Sequence, residues 1–409
     1  MTVSEASPAA RRQRDAGGEI SDSTMSTETK DSSPDSQGVE GRAKGTVLVM
    51  AGGTGGHIFP ALATAAELQS RGYRIHWLGT PGSMEAELVP AHGYDISFLP
   101  VTGLRGKGLS FLVKAPWKVT VSVLRAMKAL RQYRPVCVLG MGGYVTGPGG
   151  VAARLLGVPL VIHEQNAVAG LTNKLLARVA SRVLEAFPGT FARAGMQLDK
   201  VYHAGNPVRG DIESSSAPVA YSGTSALKVL VLGGSRGAVA INEVVPAALS
   251  VLNQEKDGIT TGTIAVWHQT GKGNYEATRK AYQQKGIDAK VEPFINDMAA
   301  AYTWADLVLC RSGALTVSEL AIAGRPAILV PYPHAVDDHQ TVNGSYLVEQ
   351  GAALMVQQNE LSKESLAEMF KELSGNHRQL QAMAEAARSV ARPQATREVA
   401  DHCLEVCHA

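Results

Sequence analysis

Three places in this sequence of 409 residues carry side chains suited to acid–base and phosphate chemistry. His57 closes the run Ala51–His57 (AGGTGGH), where a strand-type segment gives way to a helical one. An imidazole at such a junction, beside backbone N–H groups, is placed to take or hold a proton, although a lone histidine is often structural. His163, Glu164, Gln165 and Asn166 follow another strand-type segment, so four polar side chains gather at one sheet edge. Glu319 falls one to two turns into a helical stretch that starts near Ala314. A carboxylate there either accepts a pair of ribose hydroxyls or simply solvates the helix.

Around these residues lie four glycine-rich runs, each just after a strand-type segment. They are Ala51–His57, Gly140–Gly150 (GMGGYVTGPGG), Gly233–Gly237 (GGSRG) and Arg311–Gly313. A loop that ends a strand and begins a helix offers backbone N–H groups and the positive end of the helix dipole, a combination that favours phosphates. Tight turns alone would need the same glycines, but four such loops at strand ends favour contact with phosphate or sugar. The dinucleotide pattern G-x-G-x-x-G fails, because Ile58 stands where the third glycine should be and Trp77-Leu78-Gly79 ends the next strand without an acid. Gly271-Lys272 is not a P-loop, since Val266 and Gly273 occupy the positions of its first glycine and its Ser or Thr. No D-x-D occurs to hold a divalent ion at a diphosphate. His402, Cys403, Cys407 and His408 have metal-like spacing, but Val399, Cys403 and Cys407 share one helical face and read as core.

The elements that must position these residues read as two copies of one plan. Thr46–Met50 and Lys228–Leu232 are short apolar runs that stop at glycines and turn helical, about 180 residues apart. Further strand-type runs at Arg74–Leu78, Val136–Leu139, Leu160–Ile162, Ile264–His268, Leu307–Leu309 and Ala327–Val330 alternate with helical stretches. This order predicts an α/β fold of two doubly wound, Rossmann-like parallel-sheet domains facing across a cleft. The expected boundaries are a domain over 44–207, a turn-rich linker over 208–225, a second domain over 226–385 and a C-terminal helix over 386–409 that packs back on the first domain. Residues 1–43 read as a disordered tail, because Ser21–Ser36 (SDSTMSTETKDSSPDS) has too little apolar surface to offset its ordering entropy. Early arginines without a following apolar region make it no secretory signal.

Composition narrows the partners. A net charge of +2 gives no case for a nucleic-acid partner, and four cysteines do not build a disulfide fold. No apolar run of about 18 residues exists to cross a membrane. Between Asp95 and Glu164, however, the chain has no acidic residue and carries Arg105, Lys107, Lys114, Lys118, Arg125, Lys128, Arg131, Arg134 and Arg154. Leu104, Leu109, Phe111, Leu112, Val113, Trp117, Val121 and Leu124 are interleaved with them. Basic side chains attract an anionic bilayer and apolar ones dip into its interface, so this segment predicts a peripheral membrane surface.

The motifs GGTGGHIFP, TGLRGKG, GMGGYVTGPGG, HEQNAVAGLTNK, GNPVR, WHQTGKG and CRSGALTVSELAIAGRPAILVPYP occur in this order between about Thr46 and Asn343. Together they resemble the MurG family of undecaprenyldiphospho-muramoylpentapeptide N-acetylglucosaminyltransferases, within glycosyltransferase family 28. The resemblance implies a GT-B fold. It also implies inverting transfer of GlcNAc from UDP-GlcNAc to the 4-hydroxyl of the muramoyl sugar of lipid I, at the cytoplasmic face of the inner membrane, with no cofactor or metal required. By the same resemblance UDP-GlcNAc would meet Thr54, Gly55, Gly56, Asn166, Arg209, Ser235, Ile295, Ala314, Leu315, Thr316, Val317, Ser318, Glu319 and Gln340. Glu319 would take the ribose hydroxyls and the backbone near Ile295 the uracil. His57 would be the base or its positioner, and the acceptor diphosphate would rest near Gly142, Gly143 and Tyr144. Cell-wall synthesis and division proteins are the further partners implied. Two departures stand out: the family commonly has Gln in place of Arg236, and the run His334–Gly344 (HAVDDHQTVNG) is one residue longer than in some relatives. The rival reading is another GT-B enzyme, such as a UDP-GlcNAc 2-epimerase.

Overall fold

The computed structural model describes residues 43–101, 109–214, 225–234, 237–254 and 264–407. Nearly all of the 1–43 tail, the loop TGLRGKG, Ser235 and Arg236 lie outside the described residues.

Seven strands form the first sheet: β1 (Thr46–Met50), β2 (Arg74–Gly79), β3 (Asp95–Phe98), β4 (Cys137–Gly140), β5 (Leu160–Glu164), β6 (Arg182–Glu185) and β7 (Val201–His203). Between them run α1 (Gly55–Ser70), α2 (Met84–Ala91), α3 (Leu109–Tyr133), α4 (Thr146–Leu155), α5 (Leu171–Ala177) and α6 (Thr190–Arg193). The short α7 (Gly210–Ser214) leads into the second sheet. That sheet has six strands: β8 (Leu227–Leu232), β9 (Ile264–Gln269), β10 (Lys290–Glu292), β11 (Leu307–Cys310), β12 (Ala327–Leu329) and β13 (Ala353–Met355). Its helices are α8 (Val239–Gln254), α9 (Tyr275–Gln284), α10 (Met298–Trp304), α11 (Ala314–Ala323), α12 (His339–Val348), α13 (Lys363–Gly375) and α14 (His377–Ser389). The helix α15 (Ala395–Glu405) comes last.

Both sheets are wholly parallel, in the orders β3-β2-β1-β4-β5-β6-β7 and β10-β9-β8-β11-β12-β13. Strands buried on both faces read as continuous apolar runs, which is why β1 and β8 were visible in the sequence. In each sheet the order reverses beside the first strand, between β1 and β4 and between β8 and β11. Loops leaving those strands frame the crevice where doubly wound sheets bind ligands. The four glycine runs are those four loops.

Two boundaries differ from the sequence reading. The stretch expected as linker over 208–225 contains α7, and Val208 and Ile212 are buried in the core of the second domain. The boundary expected at residue 386 falls inside α14, whose Leu380, Met383 and Ala384 also belong to that domain. The chain crosses back after Ser389. Val399, Ala400 and Cys403 of α15 then pack with Val47, Ile58, Ala61 and Cys137 in the core of the first domain. One face of α15 is apolar at helical spacing, so it can fill that groove.

Candidate active site

The first glycine loop is shaped from beneath. Glu85 of α2 is fully buried, and its carboxylate accepts from the backbone N–H of Gly53 (3.0 Å) and of Thr80 (2.9 Å). Burial pushes its carboxyl up, but the Ser83 side chain together with those N–H groups holds it below the ordinary range. The sequence reading left all the loop N–H groups open to an anion, but this internal carboxylate already occupies Gly53. The opening that remains is the start of α1. Thr54 makes no side-chain cap there, the first turn has no acidic residue, and Thr54 and Gly56 are exposed.

The second glycine loop packs on the first. Gly142 and Gly143 have φ of +101° and +86°, a region where glycine is at ease. A Cβ on Gly142 would come 2.5 Å from His57 Nδ1, and one on Gly143 would come 2.5 Å from the Gly52 carbonyl oxygen. Their smallness is thus explained by loop-on-loop packing, with Tyr144 exposed beside them.

At the end of β5 the four polar residues divide their labour. The buried Glu164 carboxylate accepts from the N–H of Asn166 and Gly170 and from Asn173 Nδ2, so it organises the loop that follows. His163 is buried, with Nε2 at 2.8 Å from the Gly205 carbonyl. Burial lowers its pKa to about 4 against the pull of that bond, and His57 adds to the fall. Gln165 lies between the two histidines, 3.0 Å from each. His57 is half-buried.

Asn166 faces the second domain. Asn343 of α12 donates to Asn166 Oδ1 (3.3 Å) and accepts from the Ala167 N–H (2.7 Å). Asn206, on the strand-to-domain crossing, donates to the Gln165 carbonyl (3.1 Å) and to Ser318 Oγ (3.1 Å). These two asparagines clasp the domains, and α1 touches α11 across the cleft. The sequence reading singled out neither; the only signal was their place in GNPVR and at the end of the matching run.

On the second domain α11 begins at Gly313 with no side-chain cap and no acidic residue in its first turn. Its first N–H groups, at Ala314, Leu315 and Thr316, are those of a helix N-terminus, which suits an anion. Val317 and Ile295 are buried, and the Val317 N–H is already bonded to the Gly313 carbonyl at 2.9 Å. The other loop is more occupied: Gly233 N–H bonds the Gln269 carbonyl (2.8 Å), Gly234 N–H bonds Gln269 Oε1 (3.0 Å) and Gly237 N–H bonds the Gly234 carbonyl (3.0 Å). Glu319 Oε2 accepts from the Tyr302 hydroxyl at 2.9 Å. Burial raises the Glu319 carboxyl to about 7; Tyr302 and Arg209 oppose the rise and Asp211 adds to it. Arg209 also lies 3.6 Å from Asp211. Gln340 Oε1 accepts from the Tyr332 N–H (2.9 Å). The longer loop before it closes only through left-handed backbone at Asp337 and Asp338, with φ of 53° and 49°.

A separate surface lies on the first domain. Trp117 and Leu124 of α3, Leu155 of α4 and Leu171 and Leu175 of α5 are exposed, Trp117 by 73%. Lys118, Arg125, Arg154 and Arg178 are exposed among them, and α3 packs on α4 and α4 on α5. Contiguous exposed apolar surface ringed by charge marks an interaction site. The surface reaches past the acid-free segment into α5. Among the described residues no helix is long and apolar enough to cross a membrane.

Residues 47–185 match the glycosyltransferase family 28 N-terminal domain and residues 228–401 the glycosyltransferase family 28 C-terminal domain. The chain is 53% identical over 363 residues to the UDP-N-acetylglucosamine--N-acetylmuramyl-(pentapeptide) pyrophosphoryl-undecaprenol N-acetylglucosamine transferase of Pseudomonas paraeruginosa, covering 89% of this chain and 99% of that protein. The transferase of the same name from Azotobacter vinelandii is 52% identical over 360 residues, covering 88% and 98%. Among solved structures, that of Acinetobacter baumannii MurG matches with a TM-score of 0.74 at 41% identity, over 88% of this chain and 99% of that one. A UDP-N-acetylglucosamine 2-epimerase matches with a TM-score of 0.61 at 14% identity, over 89% and 96%, which is a likeness of fold.

Proposed function

This chain belongs to glycosyltransferase family 28, and from that premise we propose that it transfers N-acetylglucosamine from UDP-GlcNAc to the muramoyl sugar of a pentapeptide-bearing undecaprenyl pyrophosphate. The observation that carries the reading is the set of four glycine runs at the two switch points, with His57 in the first turn of the helix that follows one and Glu319 in the helix that follows another. A two-substrate transfer needs two such crevices, one for each diphosphate-bearing partner.

The chemistry follows from the groups. The 4-hydroxyl of the acceptor attacks C1 of GlcNAc from the face opposite UDP. His57 takes the hydroxyl proton as the new C–O bond forms, and the bond from C1 to the β-phosphate oxygen breaks with its electron pair leaving on UDP. Inversion at C1 results. A positioned base contributes about 10²–10⁴-fold to such a step. The uncapped start of α11 supports the departing diphosphate, because preorganised N–H donors stabilise charge where it develops. Glu319, with Tyr302 and Arg209 around it, accepts the ribose hydroxyls. The backbone at Ile295 meets uracil, while Thr54, Gly55, Gly56, Asn166, Ser318 and Gln340 complete the donor site. Neither substrate contact calls for a resident cofactor or metal.

The exposed apolar and basic surface on α3, α4 and α5 supports docking on an anionic bilayer, as a peripheral enzyme at the cytoplasmic face would need for an acceptor with a membrane-embedded tail. Cell-wall synthesis and division proteins remain partners by family likeness alone. The test is incubation of the protein with UDP-GlcNAc and a short-chain analogue of the lipid acceptor, with products read by mass spectrometry and NMR. A β-linked disaccharide and UDP are expected. UDP or an epimerised sugar released without acceptor, and no disaccharide, would refute the transfer.

A further inference from the structure

Between the proposed base and the crossing that joins the domains run three hydrogen bonds, and their directions are fixed from one end. The Gly205 carbonyl can only accept, so His163 Nε2, 2.8 Å away, carries the proton. His163 is fully buried and burial lowers its pKa to about 4, so the ring is neutral and its Nδ1 presents a lone pair. Gln165 Nε2, 3.0 Å from that lone pair, is its donor. The carboxamide is therefore oriented with its nitrogen toward His163 and its oxygen toward His57. That oxygen can only accept, and His57 Nδ1 lies 3.0 Å from it, so Nδ1 is protonated. In neutral His57 the lone pair is then on Nε2. Gly142 closes on the same side of the ring, where a Cβ would meet Nδ1 at 2.5 Å and Cε1 at 2.8 Å.

We infer that Gln165 is a positioning residue of the transfer reaction: held by His163, it fixes the tautomer and orientation of His57 so that the Nε2 lone pair is offered to the acceptor hydroxyl. This rests on the transferase reading, because it names the partner of that reaction's base. A glutamine suits the task because it donates at one end and accepts at the other. Its backbone is tied as well. Asn206 donates to the Gln165 carbonyl and to Ser318 Oγ of α11, so the element that orients the base is bonded to the helix whose N-terminus faces the donor.

The test uses the full chain labelled with ¹⁵N-histidine, with the His57 signals identified by their loss in His57→Ala. In the parent protein without substrates the neutral ring is expected to carry its proton on Nδ1. In Gln165→Met, of similar length and without a polar end, the tautomer is expected to mix or reverse. Its kcat falls about tenfold to a hundredfold while KM for UDP-GlcNAc stays within about threefold. Gln165→Glu keeps an oxygen toward His57 Nδ1 and is expected to keep the Nδ1–H form, but it loses the donor to His163 and holds His57 protonated, so kcat is expected to stay low near neutral pH and to rise with pH. An Nε2–H tautomer in the parent overturns the inference, whatever the variants do. So does Gln165→Met with the parental tautomer, or with a changed tautomer and parental kcat. Absence of disaccharide from the parent enzyme would instead refute the transferase reading and leave the tautomer assignment standing.

Discussion

The hydroxyl of Tyr302, on α10, donates to Glu319 Oε2, on α11, across 2.9 Å. This bond favours the ionised carboxylate in a place where burial disfavours it, and the carboxyl sits at about 7. In the proposed donor site the ionised form would accept two ribose hydroxyls, and its share rises with pH through about 7. About a tenth of a group with that pKa is ionised at pH 6 and about nine-tenths at pH 8. UDP-GlcNAc is therefore expected to bind about tenfold more weakly at pH 6 than at pH 8 by titration calorimetry. Glu319→Gln should bind weakly at both. Tyr302→Phe removes the bond that favours ionisation and should weaken binding at neutral pH by a factor of about five, near 1 kcal/mol. A flat pH profile in the parent would remove Glu319 from the ribose site.

His57→Ala is expected to lower kcat by at least about a hundredfold, the usual contribution of a general base, with the UDP-GlcNAc affinity little changed. Equal turnover to the parent would remove His57 from the mechanism.

Gly142→Ala tests the same site from the opposite side. The added methyl would press on the His57 ring, and φ of +101° is poor for alanine. Displacing a catalytic group by about 1 Å costs on the order of a hundredfold in rate. The variant should keep its donor affinity and lose kcat, as measured by steady-state kinetics.

Asn343→Ala removes the acceptor of the Ala167 N–H, which is buried between the domains. A buried donor left without a partner costs about 1–3 kcal/mol. The melting temperature should fall, and small-angle scattering should report a larger radius of gyration, because one of the two clasps between the domains is lost. An unchanged radius would assign Asn343 to local stability alone.

Replacing Trp117, Leu155 and Leu171 together by Ser should lower binding to vesicles containing phosphatidylglycerol by at least about tenfold, since burying one such side chain is worth about 1.5–3 kcal/mol. Binding of the parent should also weaken with salt. Turnover of a water-soluble acceptor analogue should be unchanged. Equal sedimentation with vesicles for parent and variant would place the membrane surface elsewhere.

Much of this architecture is legible before folding. The continuous apolar runs of β1, β8 and β11 follow from burial on both faces of a parallel sheet, and the glycine runs mark where such strands end. Their alternation with helical stretches suffices for two doubly wound domains. The edge strands β3, β7, β10 and β13 and the inner strand β6 were missed, because strands of three or four residues with mixed side chains look like loops. His57 and Glu319 were singled out as candidates from their positions relative to the glycines, which is local information. What those side chains do depends on partners far along the chain. Gln165 acts on His57 from 108 positions away, Asn206 reaches Ser318 over 112 and Asn343 reaches Ala167 over 176. Glu85 occupies an N–H that the sequence left to a phosphate. Hydrogen-bond direction, burial and the pKa values of about 4 at His163 and about 7 at Glu319 arise only when the strand ends converge. Local pattern thus determines the elements and their loops, while proton placement and domain closure are decided by tertiary contacts, because they depend on which groups lose water together.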